Sequence, residues 1–513
     1  MISASFSFLF FRLESGDKYR KDIAAAKDGQ IPPRSQRRRA EYRRMDKMLE
    51  TITQLLKTID DVLWGWPLII LILATGILLT LRMGFLQIFH LPKALKYMVQ
   101  NEEGGTGEVS SFGALCTAMS ATVGTGNIVG VATAIMAGGP GALFWMWIAA
   151  FFGMATKYSE GLLAIKYRTI DGSGHVLGGP FYYIERGMGR GWKWMAVLFA
   201  IFGAGAGLLG IGTITQVNGI AEATKNFFDP NSLHLVHLFG SDYSIATVAT
   251  AFAVALIAGL VILGGIKRIS SVSEIIVPFM AITYVVVALV ILLTHIGQLP
   301  GAFREIFRGA FALDAVAGGA MGALIVAMQK GIARGIFSNE AGLGSAPIAA
   351  AAASTKNPVR QGLVTMTGTF IDTIIICTMT GLTILVTGSH HLGLKGVAVT
   401  TAAFQAGLPF SDRLAAGLLM LCLAFFAFTT ILGWDYYGER CVEYLFGGRK
   451  LPVQVYRILY VLAVFAGPFL TVEFVWTLAD IFNALMAFPN LVALVALSGV
   501  IAAETKKGMK TLK

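Results

Sequence analysis

The feature of this sequence that most constrains its fold is a polar, glycine-rich stretch inside a hydrophobic segment long enough to cross a bilayer. Residues 120–130 are Ser-Ala-Thr-Val-Gly-Thr-Gly-Asn-Ile-Val-Gly. A continuous membrane helix needs none of these glycines and polar side chains. A helix that breaks halfway needs them, because unwound backbone at that depth must line a polar cavity. A similar stretch recurs at 334–345, Arg-Gly-Ile-Phe-Ser-Asn-Glu-Ala-Gly-Leu-Gly-Ser, and two interrupted spans in matching positions indicate the binding site of a secondary transporter.

The composition of the chain indicates a polytopic membrane protein rather than a soluble protein with an anchor. Of the 513 residues 55% are hydrophobic and only 14% are charged, whereas globular domains carry about 25% charged residues. The four cysteines lie in or beside apolar segments, without metal-ligand spacing or a disulfide-like arrangement, which indicates a packing role. The net charge of +11 is interpreted as a signal of membrane orientation, not of nucleic-acid binding.

Hydrophobic segments of about 20 residues predict about eleven membrane spans. The fourth is expected to run from Met195 to about Glu222. Most lysine- and arginine-rich loops fall on one side of the alternation, and the positive-inside rule assigns that side to the cytoplasm of a multi-pass protein in the plasma (bacterial inner) membrane. Residues 1–44 would then lie outside, although they hold eleven Lys or Arg and five Asp or Glu. We expect this segment to be disordered or to precede the true start at Met45 or Met48.

The predicted fold is an all-α polytopic membrane protein with two inverted repeats of five helices and one extra N-terminal helix. Once the first span is set aside, the broken spans are the first and sixth of ten, and Asn339 follows Asn127 by 212 positions (339 − 127). Five spans per half invert the second half relative to the first. The predicted parts are a basic extension (1–44), an N-terminal helix and linker (45–109), two repeats (110–294 and 316–502) and a basic cytoplasmic tail (503–513).

A zwitterionic solute at the membrane midplane would account for the polar residues of the first break. Its carboxylate needs donors, and the N-terminus of a half-helix supplies free N–H groups and a partial positive charge. Gly126 and Asn127 stand where such a half-helix would begin. The preceding half-helix would end in free carbonyls that suit Na⁺, and those of Ser120 and Val123 are candidates. Glycine at position 124 lets the backbone approach a ligand closely.

Four longer motifs are distinctive enough for comparison with known families. They are Thr-Val-Gly-Thr-Gly-Asn-Ile-Val-Gly at 122–130, Gly-Gly-Pro-Gly-Ala-Leu-Phe-Trp-Met-Trp at 138–147, Gly-Ile-Phe-Ser-Asn-Glu-Ala-Gly-Leu-Gly-Ser at 335–345 and Gly-Trp-Asp-Tyr-Tyr-Gly-Glu-Arg at 433–440. From about Trp66 to its end, the chain resembles the alanine/glycine:cation symporter family, that of sodium:alanine symporters and amino-acid carrier proteins. The resemblance implies a LeuT-type fold and Na⁺-coupled import of alanine, glycine or related small neutral amino acids by alternating access.

Carried onto this sequence, the resemblance places an amino acid between the two breaks and a Na⁺ ion beside the first. The residues implied for the amino acid are Gly126, Asn127, Gln216, Phe337, Ser338, Asn339 and Trp434. Those implied for Na⁺ are the carbonyls of Ser120 and Val123 and the hydroxyls of Thr429 and Thr430. The implied partners are therefore a small neutral amino acid, Na⁺ as coupling ion and the lipid bilayer, while the oligomeric state stays open.

Several of these residues also have an interpretation that needs no ligand. Gln216 would bond a neighbouring helix, and the hydroxyls of Thr429 and Thr430 would bond carbonyls of their own helix. Trp434 would be an interfacial anchor near the end of its span. Outside the implied site, Lys157 and Glu160 are three residues apart, which is typical of a pair on a helix surface.

Charged residues around the second break leave the coupling ion open. Lys330, Arg334, Glu340 and Asp372 each need a partner inside the membrane. A structural ion pair that holds the broken helix is one interpretation, and H⁺ coupling through Glu340 or Asp372 is the alternative. An amino-acid sensor that binds without transport is a further possibility. No nucleophile–base pair, histidine cluster or phosphate loop in the sequence supports an enzyme.

Overall fold

The computed structural model describes residues 51–512 of the chain, except residues 101, 103, 173, 239–240, 312–319 and 471. The predicted basic extension at 1–44 lies outside the described residues. The described chain is helical apart from loops and two short antiparallel hairpins. These pair β1 (Thr169–Ile170) with β2 (Val176–Leu177) and β3 (Leu235–Leu238) with β4 (Ser241–Ser244).

The α-helices differ widely in length. Helical residues 51–63 precede α1. In the first half the helices are α1 (Trp66–Arg82), α2 (Leu86–Phe89), α3 (Leu91–Val99), α4 (Ser111–Thr122), α5 (Val131–Gly138), α6 (Ala142–Tyr167), α7 (Pro180–Gly187), α8 (Lys193–Leu209), α9 (Ile214–Phe228), α10 (Ile245–Ile262), α11 (Gly265–Thr294) and α12 (Leu299–Ala310). In the second half they are α13 (Ala320–Asn339), α14 (Ala346–Ala351), α15 (Pro358–Thr369), α16 (Thr378–Val386), α17 (Val397–Gly407), α18 (Asp412–Leu445), α19 (Lys450–Ala466), α20 (Val472–Ala496) and α21 (Ser498–Thr511).

Shorter turns of other helix types connect these elements. Two π-helices lie at Gly126–Gly130 and Phe370–Cys377. Single 3₁₀ turns lie at Arg190–Trp192, Ile296–Gln298, Ser389–His391 and Gly467–Phe469. Both π-helices interrupt long apolar helices, a placement that is frequent at functional sites.

Eight helices in the described part of the chain are long and apolar enough to cross a membrane. A ninth span is formed if the pair Ser111–Thr122 and Gly126–Gly138 is counted as one, and this pair bends by 51° at the first predicted break. The all-helical class and the multiple spans are thereby confirmed. The count of eleven, the five-plus-five repeat and the repeat boundaries stay predictions.

The exposed apolar residues mark the surface that faces lipid. On α10, Phe252, Leu256 and Leu260 are exposed and follow one another at intervals of four residues. On α11, Ile275 and Phe279 continue the same pattern. In a soluble protein, the apolar stripe of a surface helix faces the core. Here the stripe lies on the outside of the bundle, which suits a hydrocarbon environment.

The 34-residue helix α18 runs through the centre of the bundle and packs against α4, α8, α9, α11 and α19. Gly433 lets it approach α4 closely, since a Cβ at this position would lie 2.8 Å from Ser120 Oγ. The Ser120 hydroxyl in turn donates to the Thr117 carbonyl oxygen at 2.8 Å within its own helix. Small residues at such crossings allow membrane helices to pack backbone against backbone. The turn Thr430–Trp434 is thereby placed against the first break.

The fourth predicted span lies within one candidate membrane segment, Arg190–Phe228, but its helix is interrupted inside that segment. α8 ends at Leu209 and α9 begins at Ile214, and between them Gly210 has φ −125° and ψ −129°. Carbonyls released by the interruption find hydroxyl donors: Thr213 Oγ1 bonds the Leu208 oxygen at 2.7 Å, and the Tyr460 hydroxyl bonds the Gly212 oxygen at 3.0 Å. The break persists because these donors satisfy carbonyls that the helix would otherwise pair.

The interpretation of Lys157 and Glu160 as a helix-surface pair is also wrong. Both side chains are buried, with 2% and 0% exposure. Their helix, α6, packs against α13, α14 and α15. The two charges therefore lie inside the bundle, close to the second broken span.

Candidate functional site

The first break lies between α4 and the π-helix Gly126–Gly130 and exposes backbone donors in the protein interior. Gly124 N–H donates to Asn127 Oδ1 at 2.9 Å, and Thr125 N–H donates to Gln216 Oε1 at 3.1 Å. The side chains of both amide residues are buried. Two amide oxygens therefore satisfy N–H groups that the broken helix leaves open.

Gly124 marks the point where the first break meets α9 and α18. A Cβ at this position would lie 2.5 Å from Thr430 Oγ1 and 3.0 Å from Gln216 Oε1, so a larger residue would displace one of them. The Thr430 hydroxyl also lies 3.4 Å from the Val123 carbonyl oxygen and bonds the Phe426 carbonyl at 2.9 Å. Carbonyl, hydroxyl and amide oxygens thus converge on one glycine, and such oxygens are the ligands of Na⁺ in broken membrane helices.

Threonines from the second half of the chain satisfy the carbonyls beyond the break. Thr380 Oγ1 of α16 donates to the Asn127 oxygen at 2.8 Å, and Thr400 Oγ1 of α17 donates to the Ile128 oxygen at 3.3 Å. A π-helix shifts its backbone bonds by one residue relative to an α-helix. Neutral side chains from four other helices therefore hold the first break.

The second break lies between α13 and α14 and carries backbone strain of its own. Glu340 has φ +55°, which is rare for a residue with a side chain. Gly342 and Gly344 follow with φ of +91° and +79°. Asn339 Oδ1 accepts from the Ala341 N–H at 2.9 Å and so replaces a lost helical bond.

Glu340 ties this strained turn to the central helix. Trp434 Nε1 donates to Glu340 Oε1 at 2.8 Å, and the Ser345 hydroxyl donates to Oε2 at 2.5 Å. All three side chains are buried. The indole is therefore an internal partner of the second break, which excludes an interfacial anchor at this position.

Further charged and polar groups from α6 and α20 complete the frame of the second break. Glu160 Oε1 accepts from Gly344 N–H at 3.2 Å and from Asn490 Nδ2 at 2.7 Å. The buried ammonium of Lys157 interacts electrostatically with Glu160 and Glu340. Because buried charges persist only with partners, this cluster fixes the path of the second break.

The two breaks touch each other and share one carboxylate. A Cβ at Gly126 would lie 3.3 Å from Ser338 Cα and 3.4 Å from Phe337 Cδ1. Asp372, in the second π-helix, accepts from Asn127 Nδ2 at 2.7 Å and from the Ser338 hydroxyl at 2.9 Å. One side chain from a third helix therefore joins the outer half of the first broken span to the second.

The structure brings most of the predicted site residues together. They form two adjoining groups, one at the contact between the breaks and one at Gly124. The first group is Gly126, Asn127, Phe337 and Ser338, and the second is Val123, Gln216 and Thr430. Trp434 bonds Glu340, the residue that follows Asn339 in the second break.

Two predicted residues have their polar groups engaged elsewhere. Thr429 Oγ1 donates to the Phe425 carbonyl at 3.1 Å and lies 3.5 Å from Met280 Sδ, so it faces α11. Asn339 donates to Thr373 Oγ1 at 3.0 Å and accepts within its own turn. Their assignment to Na⁺ and to the amino acid therefore stays a prediction without a supporting contact.

Several polar residues that hold the breaks are not among the predicted site residues, and three of them lie in other spans. From the sequence, Asp372 is a candidate only for proton coupling, and Glu160 only for a surface pair. Asn490, which follows a proline inside α20, also bonds the second break. The signal that could have identified them is the presence of a polar or charged side chain within an apolar span, which needs an internal partner.

The two broken spans are fastened to each other at the end of the bundle where the basic loops lie, which we name the basic end. Residues leading into α4 pair with those leaving α14: Glu108 N–H donates to the Ala352 oxygen at 2.9 Å, and Ser354 N–H donates to the Val109 oxygen at 2.7 Å. A parallel bridge joins Val109 and Ala353. This end of the site is therefore closed by main-chain pairing.

Charged side chains reinforce the closure of the basic end. Arg168 donates to four carbonyl oxygens, those of Thr106, Ala351, Ala353 and Thr355, at 2.5 to 2.6 Å. His175 lies 2.7 Å from a Glu108 oxygen and 2.8 Å from a Glu443 oxygen. These two hydrogen bonds raise the pKa of His175 from its ordinary value of 6.5 to about 9, against burial and the nearby Arg440.

On the opposite side of the second break, a smaller set of contacts holds the helices together. Arg334 of α13 pairs with Asp480 of α20 at 3.2 Å. Its guanidinium lies over the rings of Phe337 and Trp476, 5.4 and 5.5 Å from their centroids. A structural ion pair thus exists near the second break, with Asp480 as the partner.

Comparison with known proteins yields one family match across almost the whole described chain. The family described as "Sodium:alanine symporter family" matches residues 49–513. A relative named "Sodium/alanine symporter AgcS", from Methanococcus maripaludis, is 48% identical over 461 residues, which cover 88% of this chain and 96% of that protein. A "Putative sodium/proton-dependent alanine carrier protein YrbD", from Bacillus subtilis, is 38% identical over 460 residues, 86% of this chain and 89% of that protein.

A solved structure supports the fold. The crystal structure of MhsT in complex with L-phenylalanine matches with a TM-score of 0.53 and 14% sequence identity, over 79% of this chain and 100% of that chain. At this identity the likeness concerns the fold alone. It supports a LeuT-like arrangement of the helices around the two breaks.

Proposed function

The chain belongs to the sodium:alanine symporter family, and we propose that it imports a small neutral amino acid, alanine or glycine, together with Na⁺. Membership makes it a transporter and a multi-pass membrane protein rather than an enzyme. The substrate, the direction and the location in a plasma or bacterial inner membrane belong to the proposal.

The observation that carries the proposal is the bonding of the backbone donors at the first break. The N–H groups of Gly124 and Thr125 donate to the side-chain oxygens of Asn127 and Gln216. An amide oxygen accepts such bonds as a carboxylate oxygen would. An amino-acid carboxylate would therefore compete for these donors at the point where the positive end of the outer half-helix begins.

The size of the amino acid would be limited by the contact between the breaks. A Cβ at Gly126 would lie less than 3.5 Å from Ser338 and from the Phe337 ring. A substrate between them needs the two breaks to separate slightly, which favours a side chain of few atoms. This supports alanine or glycine over larger amino acids.

Na⁺ would bind beside Gly124, where the oxygens of Val123, Thr430 and Gln216 converge. The buried charges nearby support a cation as the coupling ion. Within the described residues, the buried side chains of Glu160, Glu340 and Asp372 all interact electrostatically with buried Lys157. Entry of a monovalent cation would add about 2.3 kcal/mol per 100 mV of membrane potential.

In this proposal the basic end faces the cytoplasm, in accordance with the positive-inside rule. Closure at that end by Arg168, by His175 and by the bridge between Val109 and Ala353 gives a state shut toward the cytoplasm. Na⁺ and the amino acid would favour this state, since they bind the intact first break. Opening of the basic end would then release both.

Uptake of radiolabelled alanine into proteoliposomes tests the function. An inward Na⁺ gradient is compared with K⁺ in its place, and an inward proton gradient is applied without Na⁺. Accumulation only with Na⁺ is expected. Equal accumulation driven by protons would support H⁺ coupling through Glu340 or Asp372 instead, and saturable binding without accumulation would indicate a sensor.

A further inference from the structure

Asp435, in the C-terminal half of α18, is a fully buried carboxyl group that the site described above does not use. Its exposure is 0%. In the part of the chain that the structure describes, no hydrogen-bond donor reaches either of its carboxyl oxygens. Asp372 and Glu340, which are also fully buried, each have donors to both oxygens. Asp435 is therefore in a different chemical situation from these neighbours.

Helix α19 covers the face of α18 on which Asp435 lies. One turn before it, the Ile431 carbonyl accepts from the Tyr460 hydroxyl at 2.7 Å. Three residues after it, a Cβ at Gly438 would lie 1.8 Å from the Tyr456 hydroxyl oxygen. Residues spaced by three or four share a helix face, so Asp435 lies between the two tyrosines.

Neither tyrosine donates to the carboxyl group. The Tyr456 hydroxyl bonds the Ala204 carbonyl at 3.1 Å, and the Tyr460 hydroxyl bonds the carbonyls of Ile431 and Gly212. Both phenolic protons are thus committed to backbone oxygens. The tyrosines surround Asp435 without neutralising it.

The charged groups that act on Asp435 are Glu439 and Arg440 of its own helix and Arg457 of α19. Both arginines are bound to other carboxylates. Arg440 pairs with Glu439 at 2.6 Å and with Glu443 at 2.7 Å, and Arg457 pairs with Glu439 at 2.7 Å. No cation within the described residues is therefore paired with Asp435.

An ionised carboxylate without donor or cation is very unfavourable in a protein interior, and such a group takes up a proton instead. We propose that Asp435 is a proton-binding site, occupied in this closed state and exchanging its proton with the solution at the basic end. When the site opens, the carboxyl O–H bond breaks and the proton passes to water. No other reactant is needed.

The route to the basic end follows one face of α18. Asp435, Glu439 and Glu443 are spaced by four residues, so they lie one above another. Glu443 bonds His175, whose side chain is 30% exposed. A proton leaving Asp435 when this end opens would meet water within two helical turns. The identification of that end as cytoplasmic rests on the proposed function, but the proton site does not.

One consequence is that acid favours the closed state and alkali the open one. Below the pKa of the open-state carboxyl, opening releases no proton and pH has no effect through this group. Between this value and the pKa of the closed-state carboxyl, opening releases one proton, and the open fraction rises up to about tenfold per pH unit. The contribution of Asp435 to this pH dependence would be lost in Asp435→Asn, because the amide cannot release a proton, whereas the contribution of His175 would remain.

Infrared difference spectroscopy tests the site directly. The protein is reconstituted in lipid without Na⁺ or amino acid, and the carbonyl-stretch band of protonated carboxylic acids is recorded in light and heavy water. The band should shift in heavy water and on ¹³C labelling of aspartate side chains, disappear in Asp435→Asn, and persist in Asp412→Asn. Asp412 is the matched control because it lies exposed at the start of the same helix.

Asp435→Glu covers the case in which the asparagine variant does not fold. In this variant the protonated-acid band should persist but lose its response to aspartate labelling. The proposal is overturned if the band of a protonated aspartate survives in Asp435→Asn. It is also overturned if the native protein shows no protonated-acid band that responds to aspartate labelling. So does an aspartate carboxylate band that shifts when Na⁺ is added and vanishes in Asp435→Asn. Failure of Na⁺-driven uptake alone would leave the spectrum unchanged and would concern only the transport proposal.

Discussion

The two breaks are similar in sequence position but are held in different ways. At the first, most side-chain contacts are neutral: they come from Asn127 of the break itself and from Gln216 and Thr430 of other helices. The carboxyl of Asp372, which also bonds Asn127, is shared with the second break. At the second, carboxylates dominate, and the turn carries a left-handed Glu340. The first break is thus assembled from groups that a ligand can replace, whereas the second is fixed by buried charges.

This difference suggests a division of labour. Neutral hydrogen bonds contribute about 1 kcal/mol each and exchange easily with those of a bound solute. Removing one partner from a buried charged network costs about 3–5 kcal/mol, so such a network resists rearrangement. We therefore expect changes at the second break to affect stability first and changes at the first break to affect binding first.

The largest effect is expected for Glu340→Ala. It leaves Trp434 Nε1 and the Ser345 hydroxyl unpaired and removes a counter-charge of Lys157. We expect a loss of about 3–5 kcal/mol of folding free energy, measured as a strongly lowered melting temperature in detergent. Glu305→Ala is the control, because this side chain is 49% exposed, and it should melt as the native protein does. Equal melting of both variants would contradict a charged frame.

A large effect on transport is expected for Gly124→Ala. The added Cβ would lie 2.5 Å from Thr430 Oγ1, so it displaces the oxygens proposed for Na⁺. We expect about a hundredfold loss of Na⁺-dependent alanine uptake, with little change in melting temperature. Gly130→Ala, in the following π-helix, meets no atom within 4 Å and should transport normally. Normal uptake by Gly124→Ala would show that the first break is not part of the binding site.

The two adjacent threonines of α18 sharpen the comparison further. Thr430→Val removes a hydroxyl that faces Val123, whereas Thr429→Val removes one that faces α11. We expect about a tenfold increase in the Na⁺ concentration for half-maximal uptake in the first variant, from the loss of one oxygen ligand. The second should change it less than about twofold. Equal increases would show that both hydroxyls bind Na⁺, as the sequence resemblance implies.

The smallest effect is expected from a change of pH. It acts on His175, which helps to hold the residues before the first broken span at the basic end. The pKa of His175 is raised from 6.5 to about 9 by its bonds to Glu108 and Glu443. A group with a raised folded-state pKa stabilises fully below its unfolded value and loses this contribution as pH rises through the folded value. The stability advantage of the native protein over His175→Gln should therefore shrink between pH 6.5 and 9. A constant difference over this range would exclude an ion pair.

The sequence was sufficient to predict the first break and much of its lining. Glycines flanked by hydroxyl and amide side chains inside an apolar span are typical of a helix that unwinds to line a polar cavity. The partners of that break could not be predicted from the sequence. The side chains of Asn127 and Asp372 form a hydrogen bond, yet the two residues are 245 positions apart in the chain. Contacts between residues so far apart in the sequence depend on how the helices pack, and the local sequence pattern does not encode that packing.

The interruption between α8 and α9 was missed for a different reason. Its glycines lie among apolar residues, and glycine in membrane helices most often serves close packing. The donors that sustain this break include the Tyr460 hydroxyl, from a helix about 250 residues away. Without that contact the segment has the composition of an ordinary span. Similarly, Lys157 and Glu160 have surface-like spacing, and only the packing of α6 against the second break shows them to be buried.

The central claim, that the first break binds the ligands and the second frames it, is tested most directly by ligand-induced stabilisation. The melting temperature of the purified protein is measured with alanine, with Na⁺ and with both, for the native chain, Gly124→Ala and Gly130→Ala. A ligand at about 100 times its dissociation constant stabilises by about 2.7 kcal/mol. We expect this gain only when alanine and Na⁺ are present together, in the native chain and Gly130→Ala but not in Gly124→Ala. An equal gain in Gly124→Ala would contradict the account.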